Sequence, residues 1–176
     1  VTDMSRLFSS DLHFSADGYD EQIEEVFAFN DDITGWDVSN VENLYRTFHG
    51  ASSFNQDISV WNTSSLNSLH MTFDGASSFN QPIGSWDVSG VTDMHRLFEN
   101  AEVFDQDLST WIVSNVHDMF AVFFNSNFNG DISSWDVSNV ERMDQMFQNS
   151  PFTGDISNWD VSNVNTMHGM FYQNGG

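Results

Sequence analysis

Cysteine and lysine are absent from this 176-residue chain, and proline occurs only twice. The lack of cysteine excludes disulfide bonds and thiolate metal ligands. Four arginines stand against 26 acidic residues, which gives a formal net charge of −22. A surface of this charge repels nucleic-acid phosphates and anionic lipid headgroups, because both are bound through lysine and arginine. We therefore predict no nucleic-acid partner and no direct contact with a membrane.

The sequence patterns of a membrane span and of common catalytic sites are also absent. No apolar run approaches the ~18 residues that a membrane-spanning helix needs. There is no phosphate loop, no H-E-x-x-H pair and no G-x-S-x-G elbow, and each serine and aspartate belongs to a repeated series. Because an active site needs unique residues in unequal environments, the sequence predicts a protein that is not an enzyme.

What the chain does contain is a repeat. The tryptophans recur at steps of 24 or 25 residues, at Trp36, Trp61, Trp86, Trp111, Trp135 and Trp159. Such a period is typical of a solenoid, in which each copy buries its apolar face against its neighbours. The sequence predicts one solenoid domain over 1–176, with a partial repeat at 1–8, an acidic insertion at 9–28 and six repeats at 29–176. The chain begins within a repeat, so we expect a monomeric fragment of a longer protein.

Within one copy, two periodicities predict a strand followed by a helix. Trp86 and Val88 alternate with the polar Asp87, which is typical of a short strand with its aspartate facing outward. Apolar residues then follow at the spacing of one helical stripe, at Val91, Met94, Leu97 and Phe98. We therefore predict an α/β repeat solenoid, with short parallel strands on the inner face and short helices on the outer face. The same alternation predicts that the tryptophans lie in the core, because solvent-facing indoles would force the neighbouring aspartates inward.

Two recurring phrases carry a family resemblance. The first runs from Phe54 to Trp61 as FNQDISVW and continues as Asp-Val-Ser in most copies, and the second is Val-x-x-Met-x-x-Met-Phe. They resemble the roughly 25-residue, leucine-rich-repeat-like repeats of BspA-like bacterial surface proteins, found in Mycoplasma lipoproteins and cell-surface adhesins. The resemblance covers about residues 29–173 and the half repeat at 1–8. It implies an extracellular or cell-surface module for attachment or protein interaction.

The insertion is the one segment that does not repeat. It contains six carboxylates and no lysine or arginine. Insertions in repeat arrays form loops on one face and often carry binding sites, so Asp17, Tyr19 and Asp20 are candidate ligand-binding residues. Asp17, Asp20 and Glu21 are candidate Ca²⁺ ligands, because calcium prefers oxygen. The alternative is a solvated loop with a short helix.

Aspartates recur in two further registers. The aspartates that directly follow a tryptophan form the first register, which we call the tryptophan row. They are Asp37, Asp87, Asp136 and Asp160. The aspartates of the six repeats that directly precede an isoleucine or leucine form the second register, which we call the isoleucine row. They are Asp32, Asp57, Asp107, Asp131 and Asp155. We predict that the tryptophan row is a ligand-binding face. For the isoleucine row, the favoured prediction is that each carboxylate caps a turn by accepting backbone N–H groups. Calcium binding at Asp57, Asp107 and Asp131 is the alternative.

A transition-metal site is a further alternative. His70 and His95 occupy one register, and each has a carboxylate four residues later, Asp74 and Glu99. On adjacent helices these four side chains would form a ligand set for zinc or nickel.

These observations predict a recognition or adhesion module. Its partner would be a protein, peptide or glycan on a host or neighbouring cell, bound through the strand face, the insertion or both. A structural spacer in a larger surface protein is the alternative function. A polysaccharide-active enzyme is a remote third, which would need a unique pair of carboxylates in a groove.

Overall fold

The repeats stack in register along the chain. The computed structural model describes residues 2–9 and 28–175. Each copy contributes one residue to a series of isolated parallel β-bridges, in which every member pairs with its counterpart in the next copy. These bridge residues are Asp3, Asn43, Ser68, Asp93, Asp118, Arg142 and Thr166. The partial first repeat therefore packs on the repeat that follows the insertion.

Each copy is a succession of hydrogen-bonded turns, not a strand followed by a helix. In the copy that contains Trp61, the N–H of the fourth residue of each turn donates to the carbonyl of the first. These bonds are Trp61 to Ile58 (3.2 Å), Leu66 to Thr63 (3.0 Å), Thr72 to Leu69 (3.2 Å) and Phe79 to Ala76 (3.0 Å). The turns bring the apolar residues to one side at steps of three, as in Phe73, Ala76 and Phe79, all of which are buried.

Along residues 69–75, every second N–H donates to a carbonyl of the next copy. The distances are 3.0 Å for Leu69 to Asp93, 2.8 Å for Met71 to His95, 3.0 Å for Phe73 to Leu97 and 2.7 Å for Gly75 to Glu99. Two positions of this segment have a left-handed backbone. Met71 has a φ of 54° and Gly75 a φ of 73°. In the copies on either side, the arginines Arg46 and Arg96 adopt the strained conformation of Met71 (φ 54° each).

The predicted α/β solenoid of strands and helices is therefore wrong. Among the described residues, the only regular element is a 3-10 helix, Ile83–Ser85, next to Pro82, and no strand or α-helix forms. The apolar stripe was assigned to a helix because consecutive four-residue turns place side chains inward every three residues, close to the helical spacing of 3.6. The Trp-Asp-Val segment forms no ladder, and the parallel bridges lie further along each copy.

Aromatic rings fill the centre of the stack. Phenylalanines of one register stack with nearly parallel planes, at centroid distances of 5.4 Å (Phe48–Phe73), 5.6 Å (Phe73–Phe98), 5.7 Å (Phe98–Phe123) and 5.8 Å (Phe123–Phe147). The prediction that the tryptophans lie in the core is confirmed for five of the six, which are 3–8% exposed. Trp36 is 44% exposed. Among the described residues, no helix has the length and apolar character needed to span a membrane.

Each buried indole also ties its copy to the one before. The Nε1–H of Trp111 donates to the carbonyl of Ile83 at 3.1 Å, and that of Trp86 donates to the carbonyl of Ile58 at 3.1 Å. The bond satisfies the buried indole donor and gives a second partner to a carbonyl that already accepts a backbone N–H within its own turn. Tryptophan at this register therefore contributes both packing and a specific link between copies.

Candidate functional site

The tryptophan row lies on the surface and caps turns. An Oδ1 atom of each aspartate accepts the backbone N–H of the serine two residues later, at 3.1 Å for Asp37, 3.0 Å for Asp87, 3.1 Å for Asp136 and 3.0 Å for Asp160. All four side chains are exposed. The hydrogen bonds from the serine hydroxyl and backbone hold the pKa of Asp136 below its ordinary value. The row is thus a line of ionised carboxylates with fixed orientations.

The isoleucine row has the same local geometry. Its carboxylates accept the backbone N–H two residues later, at 3.1 Å for Asp57, 2.8 Å for Asp107, 2.9 Å for Asp131 and 2.9 Å for Asp155. The prediction that this row caps turns is confirmed. Bonds from the backbone and hydroxyl of Ser133 lower the pKa of Asp131, although the nearby Asp107 and Asp155 carboxylates act in the opposite direction.

The chain itself shows that capping does not need the charge. Asn62 replaces the aspartate of the tryptophan row in one copy, and its Oδ1 accepts the N–H of Ser64 at 3.2 Å. In another copy Ile112 takes this position and is 62% exposed. A carboxamide can therefore take over the turn while the negative charge is removed.

All four arginines lie away from the two rows of aspartates, around a stack of four rings, Tyr45–His70–His95–Phe120. We call this surface the ladder face. Successive centroids in this stack are 5.0, 4.6 and 4.8 Å apart. Arg6 and Arg46 lie over the ring of Tyr45 at 5.4 and 5.3 Å. Arg96 and Arg142 lie over that of Phe120 at 5.3 and 4.0 Å. The cationic groups of this acidic chain are thus gathered around aromatic rings.

Hydrogen bonds between histidine and aspartate side chains on the ladder face join neighbouring copies. Nδ1 of His70 lies 2.9 Å from Asp93, and Nδ1 of His95 lies 3.4 Å from Asp118. The bond with His70 and the backbone N–H of His95 hold the pKa of Asp93 below its ordinary value, against the opposing effect of burial. Sequence reasoning placed His70 and His95 in one register but missed the ring stack, although Tyr45 and Phe120 continue the same 25-residue step.

The four residues of the predicted zinc or nickel set are divided between two groups. His70 and His95 pair with Asp93 and Asp118, as described above. Asp74 lies 3.3 Å from Nδ1 of His49, and Glu99 lies 3.1 Å from Nε of Arg96. Within residues 2–9 and 28–175, no cluster of three or more histidine or acidic side chains is arranged to hold a metal ion. Asp17, Tyr19, Asp20 and Glu21 lie outside the described residues, so their predicted ligand and calcium roles stay predictions.

His49, Asp74 and Glu99 occupy one register in three successive copies. The Asp74 side chain is 8% exposed and that of Glu99 is 15% exposed. Burial, followed by repulsion from the Asp74 carboxylate, raises the pKa of Glu99 to about 7, although Arg96 and His49 oppose the shift. This pair of acids differs from the repeated aspartates because it is largely withdrawn from solvent.

Comparison with known families identifies the repeat. Two matches, to residues 18–127 and 106–175, are with the family described as Mycoplasma protein of unknown function, DUF285. The chain belongs to the DUF285 family. The matches overlap in 106–127, about one copy of the repeat, and together extend over all six tryptophans. Searches among curated proteins and solved structures found no match.

Glu99 makes the stability of this DUF285 protein depend on pH. A carboxyl whose pKa is raised on folding stabilises the fold fully below its unfolded value of 4.5, and this contribution is lost as pH rises through about 7. We expect Glu99→Gln to raise the free energy of unfolding at pH 8 by about 1–2 kcal/mol. This is less than the full free energy of the pKa shift, because solvent partly screens the carboxylate. At pH 5 the variant and the wild type should differ little. Urea unfolding at both pH values measures the difference.

The matched control for this prediction is Glu102→Gln. Glu102 is exposed and lies three residues further along the same copy. Its replacement removes one negative charge without removing a buried carboxylate. Equal stabilisation by the two variants at pH 8 would show that overall charge, and not the burial of Glu99, controls the effect.

Proposed function

We propose that the chain is a non-enzymatic recognition module of a BspA-like bacterial surface protein, and that it binds a basic protein or peptide through the tryptophan row. The observation that carries the proposal is a row of exposed carboxylates, each fixed by its own turn, on a chain whose arginines all lie on the ladder face. Carboxylates fixed along one register attract a cationic partner over long range and require little reorganisation on binding.

The distribution of charge favours a basic partner. On the ladder face, acidic groups such as Asp118 and Asp144 already lie within 4 Å of Arg142. In the tryptophan row, Asp37, Asp87 and Asp136 accept hydrogen bonds from neutral serines. Their negative charge therefore remains available to an external cation. An extracellular location follows from the proposed surface role.

The environments of the acidic residues favour recognition over catalysis. Members of the tryptophan row share one geometry, so none is distinguished as a nucleophile or a proton donor. The unequal pair, Asp74 and Glu99, has side chains only 8% and 15% exposed. A polysaccharide-cleaving pair of carboxyls would instead flank a substrate in an open groove.

The test removes the charges of the tryptophan row while keeping its turns. The variant carries Asp37→Asn, Asp87→Asn, Asp136→Asn and Asp160→Asn, a replacement that Asn62 already shows to be compatible with the cap. The probe is a fluorescein-labelled deca-lysine peptide, followed by anisotropy at low and physiological salt. We expect binding to weaken about tenfold or more, since several contributions of ~0.2–1 kcal/mol are lost together. The variant should also be less sensitive to salt than the wild type.

A second quadruple variant separates the row from the net charge. Asp57→Asn, Asp107→Asn, Asp131→Asn and Asp155→Asn remove the same number of charges from the isoleucine row. A gain-of-function variant, Asn62→Asp with Ile112→Asp, extends the tryptophan row and should strengthen binding. Equal weakening by the two quadruple variants would contradict the assignment of the site. Absence of binding by the wild type would favour the structural spacer.

A further inference from the structure

A second candidate site lies on the fourth to sixth copies of the repeat. A depression of about 400 Å³ is lined there by His117, Asn139, Glu141, Asn163 and Asn165. All five side chains carry hydrogen-bonding groups, and none belongs to either row of aspartates. The volume falls within the ~300–1,000 Å³ range of ligand-binding clefts. The lining differs from that of an ordinary cleft because it is polar throughout.

The carboxamides of this depression are held in place by the stack. Nδ2 of Asn139 donates to the carbonyl of Ser114 at 2.8 Å, and Nδ2 of Asn163 donates to the carbonyl of Ser138 at 2.7 Å. A carboxamide has two N–H donors and an acceptor oxygen, so one bond to the backbone fixes the group while further hydrogen-bonding capacity remains. The two amides are therefore preorganised one copy apart.

The backbone fixes a second column beside the first. The N–H of Glu141 donates to the carbonyl of His117 at 2.8 Å, and the N–H of Asn165 donates to the carbonyl of Glu141 at 2.8 Å. The first copy also carries long polar side chains in both columns, at Asn40 and Glu42, but Ser65, Gly90 and Thr92 interrupt the columns in the second and third copies. Long polar side chains therefore fill both columns without interruption in the fourth to sixth copies, with Asn115 and His117 in the fourth.

We propose that this depression binds a neutral oligosaccharide. Sugar hydroxyls both donate and accept hydrogen bonds, and they match carboxamides, which do the same, together with a carboxylate acceptor and an imidazole. A peptide would instead need an apolar or aromatic anchor pocket, and a charged ligand would need a preponderance of one sign. The site is distinct from the proposed basic-partner site because it uses none of the carboxylates of the tryptophan row.

The chain supplies a conservative way to test the site. Ser65 occupies the column of Asn139, and its hydroxyl donates to the carbonyl of Ser39 at 2.8 Å. The double variant Asn139→Ser, Asn163→Ser should therefore keep the bonds between copies while removing both carboxamides from the depression. The matched control is Asn115→Ser. Asn115 lies in the same column and donates to the carbonyl of Ser89 at 2.7 Å, but it does not line the depression.

The experiment is a titration of the ¹⁵N-labelled protein with maltotetraose, cellotetraose and chitotetraose, followed through side-chain amide resonances. At least one sugar should shift the resonances of Asn139 and Asn163 in a saturable way that added salt does not abolish. The double serine variant should bind that sugar about tenfold more weakly, because neutral hydrogen bonds are lost, while Asn115→Ser should bind it normally.

Three results would overturn the inference. They are no saturable shift at these amides with any of the three sugars, equal weakening by Asn115→Ser, and a shift caused by the deca-lysine peptide alone. The two proposals fail separately. The quadruple variant of the tryptophan row should retain sugar binding, and the double serine variant should retain binding of the basic peptide.

Discussion

Replacement of Phe98 by alanine is expected to lower the free energy of unfolding by about 3–5 kcal/mol, a large part of the ~5–15 kcal/mol that stabilises a typical domain. Phe98 is fully buried in the third copy. Its ring centroid lies 3.9 Å from that of Phe104, 5.6 Å from that of Phe73 and 5.7 Å from that of Phe123. The cavity would therefore remove ring contacts with both adjacent copies.

The control is Ile112→Ala in the next copy. Ile112 is 62% exposed, so its truncation should change the free energy of unfolding by no more than about 0.5 kcal/mol. Urea denaturation of both variants gives the comparison. An unchanged m-value would show that unfolding still exposes the same surface area. Similar midpoints for the two variants would contradict the packing described for Phe98.

The second large effect is expected at Trp111. Truncation to alanine removes a side chain that is 3% exposed and leaves the buried carbonyl of Ile83 without its indole donor. We expect a loss of about 3–5 kcal/mol in the free energy of unfolding. Trp111→Phe keeps an aromatic ring but removes the donor, so its loss should be intermediate. Thermal and urea unfolding should be monitored by far-ultraviolet circular dichroism, because this signal does not depend on the deleted tryptophan fluorophore.

Trp36→Ala provides the internal comparison for Trp111. Both residues hold the same register, but Trp36 is 44% exposed. Its loss should therefore cost about 1 kcal/mol or less. Equal destabilisation at the two positions would mean that sequence register, and not burial between copies, determines the contribution of each tryptophan.

The sequence predicted the side chains that form the core but not the backbone that carries them. The 24- to 25-residue period and the inward phase of Trp86 and Val88 were sufficient, because burial depends on the apolar pattern alone. The choice of helix was wrong because apolar spacing near three does not distinguish a helix from consecutive turns. The left-handed conformations of Arg46 and Met71 give no sign in the sequence, since neither residue favours a positive φ.

The candidate sites show the same division between local and long-range features. Turn capping by Asp131 was predictable, because it depends on an aspartate and a serine two residues apart. The ring stack of the ladder face was missed because tyrosine, histidine and phenylalanine differ as residue types while sharing ring shape. The depression at Asn139 and Glu141 also required the structure, because its lining residues come from three different copies.

Alternate backbone N–H groups of each copy donate to the next copy instead of forming the i→i−4 bonds of a helix. Scalar couplings across hydrogen bonds, measured by NMR on the ¹⁵N,¹³C-labelled protein, test this directly. The account predicts couplings from the amide of Met71 to the carbonyl of His95 and from that of Phe98 to the carbonyl of Val122, bonds of 2.8 and 2.9 Å. Couplings from these amides to carbonyls four residues earlier in the chain would contradict it.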